Sequence, residues 1–311
     1  MTHPLQHRTI VGIGETVLDI VFRNNQPQAA VPGGSVFNAM VSLGRTAGRL
    51  IPGTRLMMAS QAGDDAVAGI ITDFMRENHL DTSLIQQDPG QTTISVAMLN
   101  DGGNARYEFY RDKGLPAFRT PQIRFQPEDL MLFGSFFAVS EATGRQTREL
   151  VQAAREAGAI VYYDINFRRK HQVPPCVIEA NIALCDVVRG SDEDIEALYG
   201  CADPARVYRE HIAACCPRFI CTRGAQPTEV FSPGLHRSFP APEVERIAST
   251  IGAGDSFNAG FLFGLLRHGF TRERLQAITE ADWERLVPAA MRFSAAVCGS
   301  LQNYVEPDFE P

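Results

Sequence analysis

Lysine is almost missing from this chain: of 29 basic residues only Lys113 and Lys170 are lysines, and the rest are arginines. Neither stands in G-x-x-x-x-G-K-[ST], which excludes a P-loop, because that loop ends on a lysine. Clustered positive charge is missing too. With 36 acidic residues the formal charge is −7, which argues against a broad nucleic-acid or anionic-membrane surface. The seven cysteines (176, 185, 201, 215, 216, 221 and 298) contain no C-x-x-C pair and no zinc spacing. An odd count with Cys215 beside Cys216 does not fit a secreted disulfide framework, so reduced thiols are expected. The histidines show no metal spacing beyond the terminal His3 and His7. The polar start Met1–Arg8 leads into an apolar stretch broken by Glu15 and Asp19. Neither a signal peptide nor a membrane span is read there, and a cytoplasmic protein is expected. Linkers, low-complexity tracts and repeats are absent, so residues 1–311 are read as one domain.

What is present is a globular composition, 44% hydrophobic and 21% charged, long enough to bury a large core. Short apolar β-rich runs (Thr9–Gly14, Arg55–Ser60, Met131–Phe136, Ile160–Asn166, Asp186–Gly190, Phe219–Thr222) alternate with helical stretches. The helices are read over Ser35–Gly48, Ala66–Asn78, Arg145–Ala157, Asp192–Tyr199, Gly252–Arg267 and Asp282–Cys298. This order predicts a three-layer, doubly wound α/β fold with a mainly parallel sheet. One region breaks it. Ile94–Asn100 and Ala105–Arg111 flank Asp101-Gly102-Gly103-Asn104, a hairpin signal. With Val17–Phe22 they predict a small β-lid over a cleft, formed by about residues 15–27 and 92–112.

Chemistry is concentrated in Ser249-Thr250-Ile251-Gly252-Ala253-Gly254-Asp255, a glycine-rich turn entering an apolar helix. Glycines leave backbone N–H groups bare at the positive helix end, an anion site. Asp255 in the first turn puts a carboxylate beside that site. An anion hole next to a base suits phosphoryl transfer; an ordinary helix-start aspartate is the plain alternative. The dipole is expected to depress the Asp255 pKa. A second segment, Gly33-Gly34-Ser35-Val36-Phe37-Asn38, lets a ligand approach the backbone, with Ser35 as a helix cap and Asn38 on the first turn. Gly12-x-Gly14 after a strand fails as a dinucleotide fingerprint, since Val17 holds the third glycine place.

Gly33-Gly34-x-x-x-Asn38 followed over two hundred residues later by Thr250-x-Gly252-Ala253-Gly254-Asp255 resembles the two signatures of the PfkB/ribokinase-like carbohydrate kinases. Order and spacing carry the resemblance over about residues 10–300. Within that family, Gly33-Gly34-Ser35-x-Phe37-Asn38, Tyr107-x-Phe109-Tyr110-Arg111-Asp112 and Asp164-x-Asn166-x-Arg168 look most like fructokinases. The resemblance implies a ribokinase-like fold and ATP-dependent phosphorylation of a sugar, most closely fructose. Other acceptors it allows are 2-keto-3-deoxygluconate, ribose and nucleosides, and a catalytically silent sugar-binding relative is a further alternative. It implies Asp255 as catalytic base, with Gly252, Ala253 and Gly254 as the anion hole. Asp19, Gly33, Gly34 and Asn38 correspond to sugar contacts, and Arg111 and Arg168 are placed near sugar or phosphates. Thr222-Arg223-Gly224 matches the turn that meets the nucleotide, and Ser191-Asp192-Glu193-Asp194 stands where the family has N-x-x-E. Asp194 would act on Mg²⁺ through water, Ser191 on phosphate, or both would simply start a helix. Ser249 replaces an aspartate that helps hold potassium in potassium-activated relatives, which argues against that activation. The resemblance further implies a homodimer through the lid, for which Ile94, Val96 and Met98 alternate as an exposed apolar face would require.

Overall fold

The computed structural model describes residues 8–99, 105–167, 173–300 and 302–311. Arg168 and the turn over 101–104 lie outside the described residues. Strand β1 (Arg8–Ile13) opens the main sheet; β2 (Val17–Arg23) and β3 (Gln26–Gly33) then leave it as an antiparallel hairpin. Helix α1 (Ser35–Leu43) continues through a π-helical turn, Gly44–Gly48, before β4 (Thr54–Gly63) and α2 (Ala66–Glu77). Short β5 (Leu80–Asp81) and β6 (Ile85–Asp88) follow, then β7 (Ile94–Leu99) and β8 (Ala105–Tyr110). The βα alternation resumes with β9 (Leu130–Gly134), α3 (Ser135–Val139), α4 (Gly144–Glu156), β10 (Ile160–Asp164), α5 (Pro175–Ile182), β11 (Val187–Ser191) and α6 (Asp192–Tyr199). After α7 (Pro204–Val207) come β12 (Phe219–Arg223), β13 (Gln226–Ser232) and β14 (Leu235–Phe239), and then α8 (Ala253–Arg267), α9 (Arg272–Gln276) and α10 (Glu280–Cys298).

The main sheet runs β14-β13-β12-β11-β10-β9-β1-β4-β5, with β6 also on β4. Pairs from β12 to β5 are parallel, and the β12–β13 and β13–β14 pairs are antiparallel. The central strands are apolar on both faces because both are covered. Ile10, Leu130, Leu132, Ile160 and Tyr162 enter a core shared with α1, α2, α8 and α10. Their neighbours Val11, Met131, Phe133, Val161 and Tyr163 enter a second core under α4 and α5. Period-two alternation along each strand therefore feeds two layers of helix, the three-layer fold expected from the sequence. The second, four-stranded sheet runs β3-β2-β7-β8, apart from the main sheet, over the segments read as a lid. It extends to Gly33, past the boundary expected at 27, because β3 is an edge strand. There Pro27 and Pro32, which hide it from propensity reading, cost little in lost pairing. Among the described residues, no helix is long and apolar enough to cross a membrane.

Two differences from the expected elements bear on the site. The β9 strand ends at Gly134 and the β10 strand at Asp164, with positive φ at Ser135 (55°) and Asn166 (36°). Both strands stop two residues before their expected ends. Helix α8 is buried from Ser256 to Leu266, on every face, between α1 and α10. Its close approach to α10 depends on Gly260, whose Cα faces the Ala290 Cα and the Phe293 ring. An added Cβ would stand 2.7 Å from the first and 2.8 Å from the second. Gly260→Ala is expected to destabilise the protein by about 1–3 kcal/mol through forced separation of the two helices, read as a lower urea midpoint.

Candidate active site

The functional groups gather where the parallel strands end, the side on which open α/β sheets bind ligands. Gly252, in the left-handed region at φ 77°, caps α8 and lies directly on the Asn303 carbonyl, where a side chain has no room. The helix starts at Ala253, so Gly252, Ala253 and Gly254 form its leading turn, whose amides have no acceptor four residues back within the helix, the Ala253 amide donating instead to the Thr250 carbonyl at 3.3 Å. Asp255 stands in that first turn. Two donors from α1 hold it: Ser35 Oγ gives its proton to Oδ1 at 2.7 Å, and Asn38 Nδ2 donates to Oδ2 at 2.8 Å. Ser35 is thus not the cap of α1. Gly34 occupies that position, and the Ser35 hydroxyl instead crosses to Asp255.

Burial decides the acidity of Asp255. Desolvation pushes its carboxyl up to about 6, with Asp164 adding to the rise and Asn38, Ser35 and Arg189 pulling against it. The expected depression by the helix dipole does not occur, because removing the carboxylate from water outweighs a partial charge at the helix end. The group is therefore a base poised near neutrality.

Asp19 is buried on β2, a strand of the second sheet. Ser95 Oγ donates to its Oδ1, and Asn303 Nδ2 to its Oδ2 at 3.1 Å. Desolvation pushes this carboxyl up to about 6 as well, against the Ser95 and Asn303 hydrogen bonds and with help from Glu15. Gly33 packs on the Asp19 carboxylate, and Gly34, at φ 119°, on the Glu15 carbonyl. The second side-chain atoms of two amides in this group, Asn38 Oδ1 and Asn303 Oδ1, are buried with no hydrogen-bond partner. Arg111 is not a free cation: it makes a two-pronged pair with Glu15 at 2.9 and 3.0 Å, its guanidinium lying over the Phe109 and Phe136 rings.

At the other end of the cleft, Thr222 closes β12 on β11, and Gly224 turns at φ 56°. Ser191 and Asp194 form a reciprocal capping box at the start of α6. Asp194 is buried, with Oδ2 accepting from the Ser191 amide at 2.8 Å and Oδ1 from the Phe167 amide at 2.7 Å. A buried pair, Arg189–Asp164 at 3.0 Å, links this end to Asp255; the second Asp164 oxygen accepts from Asn258 at 2.8 Å.

The pfkB family carbohydrate kinase model matches residues 9–305. The chain belongs to the PfkB family. It is a carbohydrate kinase, a phosphotransferase acting on a sugar. It is 24% identical over 304 residues to the fructokinase of Vibrio alginolyticus, covering 93% of this chain and 90% of that protein. Among solved structures it resembles Vibrio cholerae fructokinase in its fructose, ADP and calcium ion bound form (TM-score 0.82, 20% identity, 96% of this chain and 94% of that one). It equally resembles Salmonella enterica aminoimidazole riboside kinase complexed with aminoimidazole riboside and an ATP analog (TM-score 0.81, 23% identity, 97% of each chain). These likenesses agree with the ribokinase-like fold.

Asp255, Gly252, Ala253, Gly254, Asn38, Asp19, Gly33 and Gly34 form one connected group through Ser35, Asn38 and Asn303. Sequence reading misses Ser95, Asn303, Asp164, Asn258 and Arg189 as parts of it. Only Asp164 carries a signal, as the head of the Asp164-x-Asn166 motif. The raised Asp255 pKa has a consequence for stability. A carboxyl whose pKa is about 6 in the folded protein against an ordinary 3.8 favours folding below 3.8, and loses that contribution as pH rises through about 6. Asp255→Asn is therefore expected to gain stability relative to wild type between pH 5 and pH 8, by up to about 3 kcal/mol. Calorimetric melts of both proteins across that range check it.

Proposed function

We propose that this kinase transfers the γ-phosphoryl group of ATP to a hydroxyl of fructose, with Asp255 as the base. The observation that carries the reading is a carboxylate near neutrality fixed by two α1 donors beside the glycine turn at the α8 N-terminus. The sugar oxygen attacks the γ-phosphorus as the bond to ADP breaks, and its proton passes to Asp255. The amides of Gly252–Gly254 stabilise charge on the moving group, which is what a loose phosphoryl-transfer transition state asks of a protein. Asp19 accepts from sugar hydroxyls, and a polyol supplies the donors that Asn38 Oδ1 and Asn303 Oδ1 lack. Arg111, fixed by Glu15 and two rings, would form a wall of the sugar pocket rather than a phosphate clamp. Arg168 remains assigned to sugar or phosphate by motif alone. Lid closure would exclude water as a competing acceptor.

ATP would lie along the loops after β11 and β12, near Ser191, Thr222 and Gly224. Mg²⁺ fits the donor set in one manner. Among the described residues, no three acidic, histidine or cysteine side chains cluster as a cage. Asp194 has each oxygen engaged by a backbone amide. The ion would be held by nucleotide phosphates and water, with Asp194 reaching it through water, and would supply charge neutralisation of the phosphates. Potassium activation is not proposed, since Ser249 turns its Oγ to the Ile251 amide at 3.1 Å.

Fructose is favoured by the Gly33-Gly34-Ser35-x-Phe37-Asn38 motif and by the fructokinase relatives. A riboside acceptor is the second reading, favoured by the equal likeness to aminoimidazole riboside kinase. A lid-to-lid homodimer is also proposed. Ile94, Val96 and Met98 are half-buried on one face of β7, while Ser95, Ala97 and Leu99 are buried on the other, and Tyr110 opposite Ile94 is exposed.

An ADP-release assay over fructose, 2-keto-3-deoxygluconate, ribose and aminoimidazole riboside is expected to give turnover on fructose; turnover confined to a riboside would transfer the assignment. Asp255→Ala should lower kcat by about 10²–10⁴-fold with little loss of ATP binding, and near-normal turnover in the folded variant would sink the base assignment. Because the free-enzyme base must be ionised, kcat/KM should fall as pH drops through about 6. Light scattering should give twice the 34.2 kDa chain mass.

A further inference from the structure

We propose that Arg189 is a positioning residue for phosphoryl transfer, holding the anion-hole glycine Gly254 and the nucleotide-turn residue Thr222 in one geometry from beneath the site. The inference rests on the kinase reading of this cleft and assigns a residue that lies in neither family signature.

The guanidinium touches three elements. Its Nη1 donates to Asp164 Oδ1 on β10 at 3.0 Å, and its Nη2 donates to Thr222 Oγ1 on β12. Its flat head also lies against Gly254 on α8: a Cβ there would stand 2.8 Å from Nη2 and 2.9 Å from Nη1. Gly254 is therefore required by a second constraint besides the approach of phosphate, and a change in the Arg189 head displaces the amide that follows Gly252 and Ala253. Only a planar fork reaches Asp164 and Thr222 together while presenting a face to backbone.

A pair serving stability alone is a poor account of this arrangement. Buried ion pairs rarely repay their desolvation, and those that persist usually have their donors satisfied. Arg189 is buried, 7% exposed, yet its Nε has no hydrogen-bond partner. One donor of the buried guanidinium is thus left without a partner, while its two Nη groups face Asp164, Thr222 and Gly254. Its charge matters as well. Asp255 faces Ser35 and Asn38 from α1, Asp164 from β10 and Arg189 from β11, and Arg189 offsets the push of Asp164 on the Asp255 carboxyl. Burial works against the Arg189 charge, but the Asp164 and Asp194 carboxylates outweigh it and keep the guanidinium protonated.

The test compares wild type, Arg189→Met and Arg189→Lys by ADP release with the sugar that the wild type turns over. Arg189→Met should lower kcat by about tenfold or more while leaving the sugar KM within about threefold. It should also move the acid limb of kcat/KM upward by about one pH unit, because Asp164 is left uncompensated beside the base. Arg189→Lys should return the limb to its wild-type position by restoring the charge. It should still show an ATP KM raised by about threefold or more, because one ammonium cannot hold Asp164 and Thr222 together. A folded Arg189→Met with wild-type kcat and an unmoved limb overturns the proposal. Where Arg189→Met does not fold, Arg189→Lys decides, and a wild-type ATP KM in it overturns the proposal. A wild type that phosphorylates nothing in the panel is instead a failure of the substrate reading. ADP binding by calorimetry then decides for Arg189: weaker binding by Arg189→Lys supports it, and equal binding overturns it.

Discussion

The site depends on one costly arrangement, a carboxylate partly withdrawn from water at the start of α8 and kept there by donors from α1. Ser35 and Asn38 reach Asp255 across more than two hundred residues of sequence, and they do so because α1 and α8 pack side by side on one face of the sheet. The helix dipole, which alone would acidify Asp255, is overruled by desolvation. The surrounding elements read as support for this burial. The apolar α8 is covered by α1 and α10, the glycine turn rests on the Asn303 carbonyl, and Asp164 with Arg189 closes the side facing the sheet.

A second carboxylate repeats the logic on β2, within the second sheet. Asp19 is buried and, like Asp255, raised to about 6, and its donors, Ser95 and Asn303, come from β7 and from the segment beyond α10. The two carboxyls differ in what surrounds them. Asp255 is next to helix amides and a buried arginine, suited to a proton acceptor beside moving charge. Asp19 is next to hydroxyl and amide groups, suited to a polyol. The two carboxyls thus sit in different surroundings, and Asn303 joins them by touching both Gly252 and Asp19.

Much of this is legible in the sequence where a local pattern exists. The alternation of apolar runs and helical stretches marks the six longer parallel strands, five of them within two residues at each end and β4 three residues short at its C-terminus, but not the short β5 and β6, and the glycine segments at 33–34 and 252–254 mark both helix starts. Strands β3, β13 and β14 escape such reading, because β3 carries two prolines and the other two owe their place to antiparallel pairing at the sheet edge. Asp255, Asn38 and Asp19 stand in motifs. Asn303, Ser95 and Arg189 are single residues in ordinary surroundings, and only the fold brings them to the cleft. The acidity of Asp255 is misjudged from sequence for the same reason: burial is a property of the whole chain, whereas the dipole is visible in a single helix. Ser35 is plainly a polar residue at a helix start, yet its partner lies 220 positions away.

The position of Asn303 ties two distant parts of the structure to one residue. Its carbonyl supports Gly252 and its side chain supports Asp19, so both rest on a segment that follows every strand and helix described. A shift of that segment would move the glycine turn of α8 and the carboxylate on β2 together, which makes a loop without secondary structure a common footing for two elements more than two hundred residues apart.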